Sequence, residues 1–180
     1  MSTERQKPDR FLPQQTSSDQ AGPHQGSAMR PPGPAKLSLV VYSGSFSRVH
    51  YALVMASAAA AVGTPATLFF TMEAARFLGK PHADGTPGWR DLPADPAAGD
   101  AAAVPSAGAV DDDYAKRGVA GFEELLLACT TFGVTFMVCE MGLKVTALEA
   151  AALRTDLDIA EGGVVSFLAD ASERGAMLFI

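Results

Sequence analysis

The chain has 180 residues, 48% of them hydrophobic, and a formal net charge of −6 that includes 14 Lys and Arg residues. A chain of this size and composition can form one domain with a sizeable core. Because phosphate neutralisation requires clustered Lys and Arg, the scattered basic residues and the negative net charge argue against sequence-independent nucleic-acid binding.

The cysteine and histidine content argues against a metal site. Cys129 and Cys139 have no CxxC or CxxH spacing, and the three histidines are far apart in the sequence. No zinc-ligand cluster is present in this pattern, and no metal or organic cofactor is expected. The simplest environment for such a chain is the reducing cytoplasm.

The amino-terminal region predicts a tail rather than a leader. Residues 1 to about 35 are rich in Pro, Gln, Ser and Gly, so they have too few large apolar groups to offset the entropy of ordering. They contain no apolar stretch of the length of a secretory signal. The uncharged run from Tyr51 to Met72 is long enough to cross a bilayer, but Gly63 and Pro65 interrupt it. We therefore expect a buried helix, a turn and a strand, without stable membrane insertion.

The first structured region is predicted to be a strand, a helix and a second strand. The apolar, β-branched run 37–42 is typical of a strand covered on both faces. Ser47 is the predicted N-cap of an alanine-rich helix that extends to about Val62. A second buried strand at 66–71 and a short helix at 72–78 follow.

The pattern is lost between Lys80 and about Lys116, where Pro, Gly, Ala and Asp predominate. Such a long connection inside a domain is either a flexible insertion or a functional lid. Trp89 and Arg90 are the residues that suggest a lid, and a mobile insertion is the alternative.

Regular structure resumes at Val119. The apolar spacing predicts a helix at 119–132, a strand at 134–138, a helix at 145–153, a short strand at 157–159, a helix at 164–171 and a final strand at 176–180. Strands and helices alternate, which predicts an α/β fold with a mostly parallel sheet and helices on both faces.

The carboxyl ends of parallel strands meet at one edge of the sheet, where ligands bind in α/β proteins. The residues that follow the first three strands are Ser43, Gly44, Ser45, Thr71, Met72, Glu73, Cys139, Glu140 and Met141. Arg48 and His50, in the first turn of the first helix, are further candidates, since either could approach Cys139 and stabilise a thiolate. The turn at 43–47 has backbone amides that could hold an anion, but it matches neither GxGxxG nor the Walker pattern.

Cys139 is the main candidate for chemistry. Unpaired N–H groups of a following helix would stabilise its thiolate, whereas the neighbouring Glu140 carboxylate favours the neutral thiol. The alternative is that Cys139 packs as a small hydrophobe. Cys129 shares a helical stripe with Phe122 and Leu126, which predicts core packing, and its position makes a disulfide with Cys139 geometrically unfavourable.

Two stretches resemble the DsrE/DsrF-like family of small sulfur-handling proteins. They are Leu39-Val40-Val41-Tyr42-Ser43-Gly44 with the helix and strand that follow, and the run from Leu126 through Gly133 to Cys139-Glu140-Met141 with the later Ile159-Ala160-Glu161-Gly162-Gly163. The resemblance implies a three-layer α/β/α sandwich around a five-stranded parallel sheet, assembly into homo- or hetero-oligomers, and a persulfide-carrying cysteine. Cys139 matches the position of that cysteine. The segment from Lys80 to Lys116 and the proline-rich tail depart from the family pattern.

Three functional hypotheses follow. The first is a sulfur-relay protein in which the Cys139 thiolate takes sulfur from a donor protein and passes it to an acceptor, as in a sulfurtransferase. The second is a non-catalytic binding or assembly subunit, in which Cys139 packs and the apolar face of the helix at Leu53–Ala61 forms an oligomer interface. The third is a thiol peroxidase, which ranks last because the sequence lacks the Pro and Thr that normally precede a peroxidatic cysteine.

Overall fold

The domain is built on one parallel sheet. The structure, a computed structural model, describes residues 33–98 and 104–180. The strands are β1 (Leu37–Val41), β2 (Ala66–Phe70), β3 (Thr135–Cys139), β4 (Ile159–Gly162) and β5 (Ala176–Phe179). They lie in the order β4-β3-β2-β1-β5, and every neighbouring pair is parallel. The predicted tail lies outside the described residues, apart from its last three positions.

Helices cover both faces of the sheet. The α-helices are α1 (Phe46–Ala61), α2 (Ala107–Lys116), α3 (Phe122–Thr131), α4 (Glu140–Val145) and α5 (Val164–Asp170). Short 3-10 helices span Met72–Leu78, Gly88–Asp91 and Ala150–Ala152. The predicted α/β sandwich is confirmed, and the sheet is entirely parallel among the described strands.

The larger core lies on the face of the sheet covered by α1 and α3, here called the α1 face. Leu39, Leu68 and Phe136 point to this face from three adjacent strands and are fully or almost fully buried. The small residues Ala52 and Ala56 are also fully buried, which lets α1 lie close to the sheet and to α3. Buried strands of a parallel sheet need apolar residues on both sides, which explains why β1 and β2 are mostly apolar. The buried polar exceptions are Ser38 and Thr67, and Thr67 donates to the Asp170 carboxylate at 2.7 Å.

The opposite side, the α5 face, has a smaller core. Phe69, Met137, Cys139 and Phe167 form its buried cluster, with Val40 packed against it. Phe69 and Phe167 stack with their ring centroids 4.8 Å apart. Because successive strand residues point to opposite faces, the even-numbered Val40 and the odd-numbered Met137 and Cys139 share this face once the strands are in register.

The segment from Lys80 to Lys116 differs from its prediction, because it contains regular structure. It includes the 3-10 helix Gly88–Asp91 and the helix α2, and residues 99–103 lie outside the described part of the chain. The Ser106 side chain caps α2 by accepting the Ala109 N–H. Helix propensity alone does not predict α2, because Gly108 and three consecutive Asp residues lower the propensity of this stretch. Contacts with the rest of the domain compensate.

Trp89 anchors this segment in the α1-face core. Its side chain is fully buried, stacks on Phe46 at 5.6 Å and lies 4.5 Å from the Phe122 ring centroid. The indole N–H donates to Glu123 Oε1 at 2.7 Å, and Arg154 makes two further hydrogen bonds to the same carboxylate. The residue that suggested a lid is therefore part of the core.

The helix after β3 begins earlier than predicted. The sequence pattern places it at 145–153, whereas α4 begins at Glu140, directly after Cys139, and a separate 3-10 helix spans Ala150–Ala152. Gly142 lowers the helix propensity of this stretch, but a Cβ at that position would lie 2.6 Å from Met72 N. The glycine therefore allows α4 to pack against the backbone that follows β2.

Candidate functional site

A cavity of about 310 Å³ opens at the carboxyl edge of the sheet, on the α5 face. It lies where β1, β2 and β3 end and where α5 and β5 pass beside them. Its lining residues are Val40, Tyr42, Phe69, Thr71, Met72, Cys139, Met141, Val164, Phe167, Leu168, Met177 and Phe179. Cys139 itself is 1% exposed, and it borders this cavity.

The wall of the cavity is apolar and uncharged. Within 33–98 and 104–180, none of its lining residues is Asp, Glu, Lys, Arg or His, and the polar side-chain groups are the hydroxyls of Tyr42 and Thr71 and the thiol of Cys139. Three methionines contribute polarizable thioethers, which adapt their shape to a neighbouring group more readily than branched side chains do. The thiol is therefore held in a pocket suited to uncharged, polarizable ligands.

Cys139 is positioned by the junction between β3 and α4. It is the last residue of β3, pairs with Gly162 of β4, and is also the residue that precedes the first turn of α4. Its side chain makes no capping hydrogen bond to that turn. The predicted stabilisation of a thiolate by the N–H groups of the next helix therefore has no hydrogen bond to support it in this structure.

Met72 lines the cavity with an unusual backbone conformation. Its φ of 50° lies in the left-handed region, where side-chain-bearing residues are strained. The Gly142 approach to the Thr71 and Met72 backbone holds the two segments together. Strain of this kind persists only when the surroundings enforce it, and it concentrates at functional sites.

The structure brings some of the predicted residues together and separates others. Thr71, Met72, Cys139 and Met141 line the cavity, as the edge of the sheet requires. Glu140 instead lines a second cavity of about 510 Å³, together with Leu143, Lys144 and Glu161. The carboxylate that was expected to oppose a Cys139 thiolate therefore belongs to a different pocket.

The turn after β1 is occupied by the chain itself. Gly44 packs against Glu73 and Pro96, since a Cβ there would lie 2.8 Å and 3.0 Å from their side chains. The first N–H of α1, at Phe46, donates to the Ala94 carbonyl at 2.7 Å. An anion is consequently not required at this helix start, because the segment from Lys80 onward supplies the acceptor.

The other members of the predicted set also lie away from the cavity. Ser43 accepts the N–H of Ser45 within the turn, and Glu73 forms an exposed ion pair with Arg76. None of Ser43, Gly44, Ser45 or Glu73 lines the cavity that contains Cys139. The sequence pattern indicates at which edge of the sheet a residue lies, but not to which face of the sheet its side chain points. The prediction therefore grouped these residues with Cys139.

Arg48 and His50 do not approach Cys139. Arg48 is exposed, whereas His50 is buried on the α1 face, where its Nε2 lies 2.8 Å from the Ala120 carbonyl oxygen. The His50 ring also packs edge-on against Tyr114. Both candidates project from α1, which covers the face of the sheet opposite the cavity.

Cys129 packs in the core, as its helical stripe predicted. It is fully buried, and its thiol donates to the Leu53 carbonyl at 3.6 Å. Burial raises the pKa of this thiol to about 12. Both cysteines are free thiols, so they differ in their surroundings and not in disulfide bonding.

Sequence reasoning missed the aromatic and aliphatic wall of the cavity. Its members from the strands, such as Tyr42 and Phe69, were recognisable, since strand alternation places them on the same face as Cys139. The contributions of α5 and β5 carried no local signal, because they depend on where β5 pairs in the sheet. Phe167, Met177 and Phe179 are the main residues of this missed part.

Two searches of the described residues bear on cofactors and membranes. Within 33–98 and 104–180, no group of three or more His, Cys, Asp or Glu side chains is placed to hold a metal ion. In the same residues, no helix has both the length and the apolar character needed to cross a membrane. Comparison of the chain with known protein families and with curated proteins found no match.

Proposed function

We propose that this protein is a DsrE-like sulfur-relay protein that carries a persulfide on Cys139. The observation that carries the proposal is the cavity itself, which surrounds the Cys139 thiol with uncharged, largely apolar side chains at the carboxyl edge of a parallel sheet. The sequence resemblance described above supports it independently. The exchange needs a reducing compartment, and we place it in the cytoplasm.

Transfer of sulfur at this site is a redox-neutral exchange. The Cys139 sulfur attacks the outer sulfur of a donor R–S–SH, a new S–S bond forms, the donor S–S bond breaks, and its electron pair leaves with the donor sulfur as R–S⁻. The proton balance is Cys139–SH plus R–S–SH giving Cys139–S–SH plus R–SH. An acceptor thiol then removes the outer sulfur by the same reaction.

The surroundings of Cys139 suit the storage of a persulfide. Its near-complete burial limits access by water and oxidants, while the cavity leaves space for one additional sulfur atom. Sulfur makes favourable contacts with aromatic rings, and Phe69 and Phe167 belong to the same buried cluster as Cys139. Cys129 is fully buried in the core and does not line this cavity, so it is the natural internal control.

The test is mass spectrometry of the protein after incubation with a persulfide donor. We expect one added sulfur on the wild type and on Cys129→Ala, and none on Cys139→Ser. An adduct that persists in Cys139→Ser, or its absence from the folded wild type, contradicts the mechanism. Labelling with an apolar maleimide before the incubation should block the adduct.

A second candidate function, an oligomeric assembly subunit, is favoured by a different surface from the one that sequence suggested. Most of Leu53–Ala61 packs in the core or is half-buried, whereas the edge strand β5 exposes Phe179 by 69% and Met177 by 47%. Exposed apolar patches of this kind are typical of interaction sites. Analytical ultracentrifugation tests the assembly, and a strictly monomeric protein at micromolar concentration contradicts it.

A further inference from the structure

We infer that sulfur reaches Cys139 on a small, uncharged, apolar carrier, so that the cavity selects alkyl or aryl hydropersulfides over anionic sulfur donors. This inference rests on the proposed relay function and adds the chemical class of the donor. It is drawn from the charge and the size of the cavity around Cys139.

The first observation is the absence of a charge partner in the wall. Among the described residues that line the cavity none carries a charge, and the nearby ionic groups Glu140 and Lys144 line the second cavity instead. Transfer of an ionised group from water to apolar surroundings is costly unless a counter-charge accompanies it. Thiosulfate would bring two negative charges into a cavity that offers them no cation.

The second observation is size. A cavity of about 310 Å³ is at the lower end of the range for small-molecule sites. It accommodates a branched or cyclic alkyl group with its two sulfur atoms. Glutathione persulfide is a charged tripeptide, so both its volume and its carboxylates count against it.

The third observation is that the Cys139 sulfur lies next to the apolar side chains that would hold the carrier. Phe69 and Phe167 form a stacked aromatic pair on the α5 face, in the same buried cluster as Cys139. Leu168, Met141 and Phe179 are exposed at the opening. A carrier with an apolar group would bury that group against these side chains and present its outer sulfur to Cys139.

The reaction is the exchange described above with R fixed as apolar. Cys139–SH and R–S–SH give Cys139–S–SH and R–SH, with one S–S bond formed and one broken, and the proton of the Cys139 thiol is transferred to the departing sulfur. The donor enters in its neutral R–S–SH form, because desolvation disfavours its ionised form as it disfavours any other anion. In that form no net charge enters or leaves the cavity. An anionic donor cannot meet this condition, because its own charge must enter with the sulfur.

The experiment compares three donors on the full-length protein by mass spectrometry: cyclohexyl hydropersulfide, glutathione hydropersulfide and thiosulfate. The rate at which each donor loads Cys139 is divided by its rate of reaction with N-acetylcysteine, which corrects for the intrinsic reactivity of the donor. We expect a normalised preference of about tenfold or more for the cyclohexyl donor over thiosulfate. Equal rates, or a preference for either anionic donor, overturn the inference and leave the relay function standing.

A charge variant tests the cause of the preference. Leu168→Lys places an ammonium group at the opening, at a position that is 54% exposed and therefore tolerant of substitution. The preference over thiosulfate should fall about tenfold, because the anion gains a counter-charge. Leu127→Lys on α3 is the matched control, since Leu127 is 67% exposed and does not line the cavity. A similar change in both variants overturns the inference.

A non-covalent probe distinguishes failure of the apolar-carrier inference from failure of the proposed relay function. Cyclohexyl methyl sulfide cannot transfer sulfur, so its binding reports on the cavity alone. Shifts of the Met141 and Met177 methyl resonances on titration support the apolar-carrier inference, and their absence overturns it. If no donor loads Cys139 while the sulfide binds, the relay function fails and the assignment of the cavity to apolar ligands stands.

Discussion

Replacement of Trp89, the only tryptophan of the chain, measures whether the segment from Lys80 to Lys116 belongs to the core. Trp89→Ala removes a fully buried indole that stacks on Phe46 and packs at a tilt against Phe122. Truncation of a buried aromatic residue to Ala costs about 3–5 kcal/mol. A hydrogen bond to a charged acceptor adds about 1.5–3 kcal/mol, but the two contributions are not additive at one residue. We expect a loss of at least about 3 kcal/mol in the free energy of unfolding.

Urea denaturation followed by far-ultraviolet circular dichroism measures this loss. Trp89→Phe keeps most of the ring contacts and loses the N–H donor to Glu123, whose carboxylate still receives two hydrogen bonds from Arg154. We therefore expect a smaller cost, about 1–2 kcal/mol. Tyr51→Ala, at an aromatic residue that is 60% exposed, should change the stability by no more than about 0.5 kcal/mol. A Trp89→Ala cost below about 1 kcal/mol would refute the anchoring of this segment.

Two further predictions concern close packing and pH. Gly142→Ala should destabilise the protein by about 1–3 kcal/mol in urea, because its Cβ would lie 2.6 Å from Met72 N, whereas Gly163→Ala, with open space around it, should cost less than about 1 kcal/mol. Burial alone raises the pKa of Glu123, but hydrogen bonds from Arg154 and Trp89 outweigh it and hold this pKa below the ordinary value of 4.5. The folded state therefore binds fewer protons, so stability is lost as the pH falls below about 4.5 and through the lower folded pKa. In Glu123→Gln the free energy of unfolding should fall less steeply as the pH is lowered. If urea denaturation at several pH values gives the same pH dependence of this free energy for the variant and the wild type, this role of Glu123 is excluded.

Local sequence signals predicted most of the fold. The apolar runs of β1 and β2 indicated buried parallel strands, and Gly63 and Gly133, which have φ values of 82° and 74°, ended the helices where expected. Helix α2 was missed because its contacts with the 3-10 helix Gly88–Asp91, including hydrogen bonds from Arg90, stabilise it more than its own composition does. The start of α4 was missed because Gly142 serves a tertiary contact.

The candidate site was predicted in part. The edge of the sheet followed from parallel connectivity, and it correctly indicated Thr71 and Cys139 as neighbours. The face of the sheet required one further step, since strand alternation separates Cys139 from the helix that carries His50. The wall contributed by α5 and β5 required the order of the strands, which depends on long-range packing and has no local signature.

The position of β5 links the Cys139 cavity to the folding of the whole domain. Strand β5 pairs with β1, which is the farthest strand from it along the described chain, so this pairing closes a long loop, and we expect it to form late in folding. Met177 and Phe179 reach the cavity only after that step. In a partly folded chain without β5, the Cys139 thiol would therefore react with charged and apolar reagents alike. The rate at which a thiol reagent labels Cys139 during refolding would then report when β5 pairs with β1.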